Sequence, residues 1–408
     1  VATIQSADQQ ARPPLWRDER ILRIVGQVVA VVAVVLLLRW LIGNLLTNLE
    51  RQNISTNFDF LSQPTNFSIR DANFDPRSSI WPDMFMIGIR NTAISAGVGI
   101  FFALIIGTLV GIGRLSTNWL VSKLSMLYVE AIRNIPPLVI IIFFGFAIFT
   151  FGPFPAMNPT SPPWEWRLPG SDNSFAILSN DRWGIPSFVN TGRGSLGLFW
   201  LLLLIGLVAA VVVWLWRTRV NIRTGQPHHR LRYSFLTFVG IGIVGFFLTS
   251  RPFGWSWPAV SESGRVIEGG FVTNSGYMAL TAALALYTAS HIAEIIRGSI
   301  LAVPKGQSEA SNALALTGFQ RYRFVILPQA MRIAIPALIN QFLNLTKNTS
   351  LATAVAYADV TALTQTAIGN GKPAVQMLVI LMAIYLLFSF FWSVILNFVN
   401  RRFQLVGR

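Results

Sequence analysis

The sequence predicts an all-α polytopic membrane protein that crosses the bilayer about eight times. Hydrophobic residues make up 53% of the 408 and charged residues only 12%, about half the usual soluble share of roughly 25%. The apolar residues fall in runs near the twenty that a hydrocarbon core demands. Basic residues gather in the short segments between particular runs, and membrane topology explains that better than a single charged face. The formal charge of +15, from 32 Lys+Arg against 17 Asp+Glu, is therefore not a nucleic-acid footprint. With no cysteine and three histidines, a disulfide framework and a thiolate zinc site are both excluded.

The expected spans are 23–46, 87–113, 124–151, 196–216, 234–250, 275–296, 336–366 and 376–400. The first is expected to stay as an anchor, because residues 1–20 are polar and no small-residue cleavage site follows a short apolar region. In the second, Gly97, Gly99, Gly107, Gly111 and Gly113 lie among Val, Ile and Leu, which predicts close backbone packing in lipid. Near the start of the third, Glu130-Ala131-Ile132-Arg133-Asn134-Ile135-Pro136-Pro137 predicts an interrupted helix, and Glu130 and Arg133 share a face on which they can pair. The seventh is broken by Asn340, Asn344, Lys347, Asn348 and Asp359. Four segments follow: 1–86 with the first span, 87–151, 152–274 with an inserted helix pair, and 275–408.

Orientation follows from the bases. A cytoplasmic N-terminus puts 20 of the 32 on the cytoplasmic side, from Arg12, Arg17, Arg20 and Arg23 through Arg114, Lys123 and Arg133 to Arg401, Arg402 and Arg408. The loop 217–232, RTRVNIRTGQPHHRLR, carries five arginines and no acid, the pattern that the positive-inside rule weights most. The C-terminus is then cytoplasmic too. Segments 47–86 and 152–195, rich in Asn, Ser, Pro, Phe and Trp, become ordered caps on the outer side.

Motif candidates are few. GNGKP at 369–373 lacks the first Walker glycine and the Ser/Thr after Lys372, so it is no phosphate loop. Asn53-Ile54-Ser55 and Asn66-Phe67-Ser68 match glycosylation acceptors but occur readily by chance. Ser290-His291-Ile292-Ala293-Glu294-Ile295-Ile296-Arg297-Gly298 holds a histidine and an acid–base pair, without the spacing of a catalytic triad or dyad. Neither an active site nor a metal site is expected. The polar stretch Glu309–Pro328, EASNALALTGFQRYRFVILP, lies between apolar ones. Glu309 suits the start of a helix, small Ala310, Ala313 and Ala315 keep that helix slim, and Leu314, Phe319, Tyr322 and Phe324 offer apolar contact.

Residues 87–151 and 275–402, with YVEAIRNIPPLVIIIFF, HIAEIIRGSILAVPKGQSEASNALALTGFQRYRFVILPQAMR and NLTKNTSLA, resemble the permease subunits of bacterial polar amino-acid ABC importers. The extra first span, the helix pair near 196–250 and NLERQNISTNFDFL resemble the long type found in general L-amino-acid and acidic and neutral amino-acid systems. The resemblance implies a type I importer core of five helices, spans two, three, six, seven and eight, with three peripheral helices. It implies an inner-membrane location and several partners: a second, related permease subunit, two ATPase subunits that bind ATP and Mg, and a periplasmic amino-acid-binding protein. This chain would hold no cofactor.

Glu309, Ala310, Ser311, Ala315, Gly318, Leu327 and Pro328 match the family's ATPase-coupling loop. The departures are Ser311 at its third small position and Ala315 at its usual glycine, with Gly318 three further on.

Intramembrane polar residues are functional candidates by default. Asn340, Asn344, Lys347 and Asn348 share a helical face, with the alternative that this face meets a partner or interfacial water. As a pocket, Lys347 would pair with a substrate carboxylate, Thr349 and Ser350 would donate hydrogen bonds, and His291 or Glu294 would lie near the amino group. Such a pocket suits acidic and polar neutral amino acids. Two rival classes remain open. An ion-coupled secondary transporter would use Lys347 and Asp359, and a channel would need a filter that the sequence does not supply.

Overall fold

The computed structural model describes residues 19–52, 57–69, 74–158, 160–192, 194–225 and 229–403. Asn53-Ile54-Ser55, Arg12, Arg17, Arg408 and the 226–228 portion of the arginine-rich loop lie outside them. Among the described residues, seven helices are long and apolar enough to cross a membrane, and a bent pair supplies an eighth.

Helix α1, Glu19–Arg51, is followed by α2, Trp81–Gly113, whose start is fixed by Pro82 and by the Asp83 carboxylate accepting from the Ile80 amide at 3.0 Å. Helix α3, Trp119–Arg133, is capped by Asn118, whose side chain accepts from the Leu120 and Val121 amides. Helix α4, Pro137–Phe143, continues as a π-helical stretch over Phe144–Thr150. The expected third span, 124–151, is thus not one helix: its halves meet at 101°. Pro136 and Pro137 donate no amide, and Pro136 biases Ile135 out of the helical region. Glu130 and Arg133 are exposed and form no ion pair, so this proline bend is not held by one.

The segments on either side of the inserted helices form strands, which qualifies the all-α expectation outside the membrane body. Strands β1 (Trp164–Arg167), β2 (Ser174–Leu178), β3 (Arg182–Ile185) and β4 (Ser187–Asn190) precede α5, Leu196–Thr224, and α6, Arg230–Leu248. Strands β5 (Phe253–Ser256), β6 (Ala259–Val260), β7 (Ile267–Glu268) and β8 (Phe271–Asn274) follow. The main sheet is antiparallel, in order β1-β2-β3-β8, with Trp183 opposite Thr273. Short runs of aromatic and β-branched residues between Gly, Pro and Asn turns suit strands too brief for a hydropathy window to report.

Strand β8 runs straight into α7, Ser275–Leu301, whose start is capped by Asn274 accepting from the Tyr277 amide at 2.8 Å. The chain continues through α8 (Lys305–Ala313), α9 (Gly318–Arg321), a π-helical turn (Tyr322–Ile326) and α10 (Leu327–Asn348). A 3-10 stretch over Thr349–Val355, α11 (Val360–Gly369) and α12 (Ala374–Phe403) complete it. The seventh crossing therefore runs over Gly318–Val355 and not 336–366. Ala356, at φ +52°, ends it, and Asp359 starts a separate helix by accepting from the Ala362 amide at 2.7 Å.

Helix α7 is the axis of the core. Its buried Leu280, Ala283, Leu284, Ala289 and Ile292 pack with Ala103 of α2, Ile141 of α4 and Leu338 and Leu345 of α10. A methyl group built on Gly107 would stand 2.6 Å from Ile292 Cβ, and one on Gly111 2.7 Å from the Ala293 carbonyl. These two glycines make the seam between α2 and α7. Gly99 meets Leu345 and Gly113 meets Ser125, whereas Gly97 faces open space, so close packing holds for four of the five predicted positions. Helices α2, α3–α4, α7, α10 and α12 form the five-helix core. Helix α5 packs mainly on α6, and the apolar window of α1 buries nothing within the chain.

Candidate functional site

Two polar features stand out from the apolar body, one on the face opposite the strands and one in a cleft between α7 and α10. On that face Pro304 opens α8, and Ser311 turns inward: it is buried, and its hydroxyl donates to the Gln307 carbonyl at 2.6 Å. Gln329 donates to the Gln307 side chain at 3.1 Å, and Arg321 donates to Asn312 Oδ1 at 2.9 Å. The first bond ties α8 to the start of α10 and the second ties it to α9. Ala315 sits at φ +54°, the left-handed conformation that ends α8 and that glycine adopts at no steric cost. Thr317 and Gln320 then cap α9 reciprocally: the Gln320 amide donates to Thr317 Oγ1 at 3.3 Å, and the Thr317 amide to Gln320 Oε1 at 2.9 Å.

The outward side of this rigid unit exposes Glu309, Ala310, Ala315, Gly318, Leu327 and Pro328. Beside them Leu314 is 74% exposed, Phe319 71% and Phe324 63%. Arg323 lies 5.8 Å above the Phe319 ring and 5.6 Å above that of Phe324. Small residues, one acid and large uncovered apolar groups make a surface shaped for protein contact. Six of the seven predicted coupling residues are gathered there. Ser311 instead is buried, its hydroxyl bonded within its own helix.

Between α7 and α10, Tyr287, Thr288 and His291 face Gln341, Asn344, Lys347 and Asn348 across a cleft of about 280 Å³ that opens to the surface at the exposed Asn344 and Lys347. Four predicted substrate residues, His291, Asn344, Lys347 and Asn348, come together. The other three do not line it. Glu294 lies one turn along α7, bonded to Arg114 of α2 and accepting from Arg297 Nε at 3.2 Å. Thr349 is buried and donates to the Thr346 carbonyl at 2.8 Å, while Ser350 lies past the end of α10. Asn340 is exposed but also outside the cleft.

Sequence reasoning missed Gln341, Tyr287 and Thr288. Helical spacing was the available signal: Gln341 stands three before Asn344, and Tyr287 and Thr288 stand four and three before His291. The Tyr287 ring meets His291 edge-on at 4.8 Å, which orients the imidazole. Lys347 and Asp359 form no ion pair. Asp359 is buried in the cap of α11, where Tyr385 donates to its Oδ2 at 3.2 Å.

Comparison with known proteins agrees with this architecture. Residues 231–405 match the family described as binding-protein-dependent transport system inner membrane component. The chain is 36% identical to the general L-amino acid transport system permease protein AapQ of Rhizobium johnstonii, over 96% of this chain and 94% of that one. It is 36% identical to the putative amino-acid ABC transporter permease protein YhdX of Escherichia coli, over 94% of each. It is also 30% identical to BztB of Rhodobacter capsulatus, a glutamate/glutamine/aspartate/asparagine transport system permease protein, over 96% of each. The chain belongs to the permease subunits of bacterial amino-acid ABC importers.

Proposed function

We propose that this chain forms one half of the pathway of an importer for acidic and neutral polar L-amino acids, and that ATPase subunits drive it through the unit around α8. The observation that carries this is the exposed surface of Glu309, Ala310, Leu314 and Phe319, tied by Gln307–Gln329 to the base of α10 and by Asn312–Arg321 to α9. A push on α8 is passed to α10 through Gln307–Gln329 and through α9, which continues by the π-helical turn into α10. Helix α10 carries Asn344, Lys347 and Asn348, so the same push reshapes the polar cleft and changes its access.

In this reading the α8 face is cytoplasmic, both termini are cytoplasmic, the strand-bearing face is periplasmic and the membrane is the bacterial inner membrane. The positively charged short loops support that orientation. A periplasmic binding protein delivers the amino acid on the strand side. A second, related but different permease subunit supplies the other half of the pathway, and two ATPases bind ATP and Mg. The cationic Lys347 with amide neighbours suits a carboxylate-rich solute, and the substrates named for BztB are of that kind.

The test is co-purification and reconstitution with the ATPase and binding-protein subunits encoded alongside. ATP-dependent uptake of glutamate and glutamine supports the reading, and transport by this chain alone refutes it in favour of an ion-coupled carrier.

A further inference from the structure

We propose that Val355 is a latch that closes the strand-bearing end of the pathway, at the tip of a strap formed by residues 349–356; the proposal rests on the importer reading above. Beyond the tip the chain is stapled to α2. Asn91 donates to the Ala358 carbonyl at 2.8 Å, Tyr357 donates to the Asn91 carbonyl at 3.2 Å, and the Val360 amide donates to Thr92 Oγ1 at 3.3 Å. Before it, Thr349 is buried and bonded back to α10. Between these anchors the strap is 3-10 rather than α-helical, and it ends at Ala356 in a left-handed conformation that a Cβ disfavours.

Val355 rests in a notch made by two glycines from two different helical elements. A methyl group built on Gly145, in the π-helical stretch, would lie 2.5 Å from Val355 Cγ1. One built on Gly276, at the start of α7, would lie 2.3 Å from the Val355 carbonyl oxygen. Neither glycine is needed for a left-handed backbone, since both lie inside helical stretches at negative φ. Close approach of Val355 is what they permit.

The strap is flanked by empty space. A cavity of about 360 Å³ opens on one side of Thr353–Ala356, beneath Asn180 and Asp181 of the strand domain. Another of about 420 Å³ opens on the other, against Phe67, Ser68 and Gln365, and Thr353 and Ala356 border both. Thr349 and Ala352 are fully buried and Leu351 packs on the core, so the part of the strap that can lift without unfolding its neighbours is its Thr353–Ala356 end, which Val355 seats and which borders both cavities. Gly276 stands eleven residues before Tyr287 on α7, about 16 Å along the helix axis, so the latch shuts the bundle well above the polar cleft.

The chain has no cysteine, which permits a direct test. A Cβ on Gly145 would stand 3.5 Å from Val355 Cβ, within the roughly 3.5–4.5 Å range of a disulfide. The double variant Gly145→Cys/Val355→Cys is assembled with its ATPase and binding-protein partners in vesicles. Oxidation is expected to form the cross-link in the absence of nucleotide and to stop uptake, with reduction restoring it. The single variants Gly145→Cys and Val355→Cys should transport equally under both conditions. A cross-linked protein that transports at the reduced rate makes the strap a static part of the fold and overturns the latch. Failure to form the disulfide overturns the geometry. If the complex with the unaltered chain shows no ATP-dependent amino-acid uptake at all, it is the importer reading that falls.

Discussion

Gly107→Ala tests the seam between α2 and α7 most directly. The added Cβ would lie 2.6 Å from Ile292 Cβ and 2.8 Å from the Ala289 carbonyl oxygen. Carbon contacts relax at about 3.5–4.0 Å, so the two helices must separate by roughly 1 Å along a seam that is otherwise fully packed. The backbone carbonyl cannot swing aside as a flexible side-chain end would. Overpacking of this kind costs about 1–3 kcal/mol, partly offset by the gain of about 0.8–1 kcal/mol from replacing glycine with alanine in a helix.

Gly97→Ala is the internal control, because it lies on the same helix with nothing within 4 Å of its built Cβ. The difference between the two variants cancels the propensity gain and isolates packing, at about 1–3 kcal/mol in favour of Gly97→Ala. The assay is thermal or denaturant unfolding of the purified complex in one detergent, followed by loss of monodisperse protein. Equal stability of the two variants would refute the close-packed seam.

Further outcomes follow from the sites. Glu309→Lys and Ala310→Trp should abolish ATP-driven uptake with membrane insertion intact, measured by uptake beside immunoblots of the membrane fraction; normal uptake in both removes the coupling role. Ala315→Gly should stabilise the coupling unit by about 1 kcal/mol, read as slower proteolysis of the 302–326 connection, since Ala315 holds a positive φ. For topology, the buried Ser174 is a poor reporter. The exposed Asp172→Cys should label from outside and Thr224→Cys should not, and the reverse pattern overturns the orientation. Lys347→Ala and Asn344→Ala should alter the ranking of glutamate, glutamine and arginine uptake in complexes that retain ATPase activity, and unchanged ranking returns that face to a structural role. Glu294→Gln, by contrast, should leave the ranking alone and lower stability by about 1.5–3 kcal/mol, because it removes the charge shared by Arg114 and Arg297.

The sequence by itself determined the class, the number of crossings and the place of the polar Glu309–Pro328 segment between apolar ones. Each rests on local information: runs of about twenty apolar residues report spans because lipid leaves the backbone few alternatives. The Glu309–Pro328 segment reports itself by polarity where hydropathy is otherwise high. Helical spacing also brought Asn344, Lys347 and Asn348 onto one face, as the structure has them.

What only the tertiary structure decided are features that depend on partners distant in the chain. Glu294 looks like a pocket residue from its neighbours His291 and Ser290, yet Arg114, 180 residues away, claims its carboxylate. The strands β1–β8 close around an inserted helix pair, so their pairing spans about ninety residues that no local window can see. The end of the seventh crossing was hidden for the same reason: apolar residues continue past Val355, and only the fit of that valine against Gly145 and Gly276, followed by the left-handed Ala356, shows where the crossing ends.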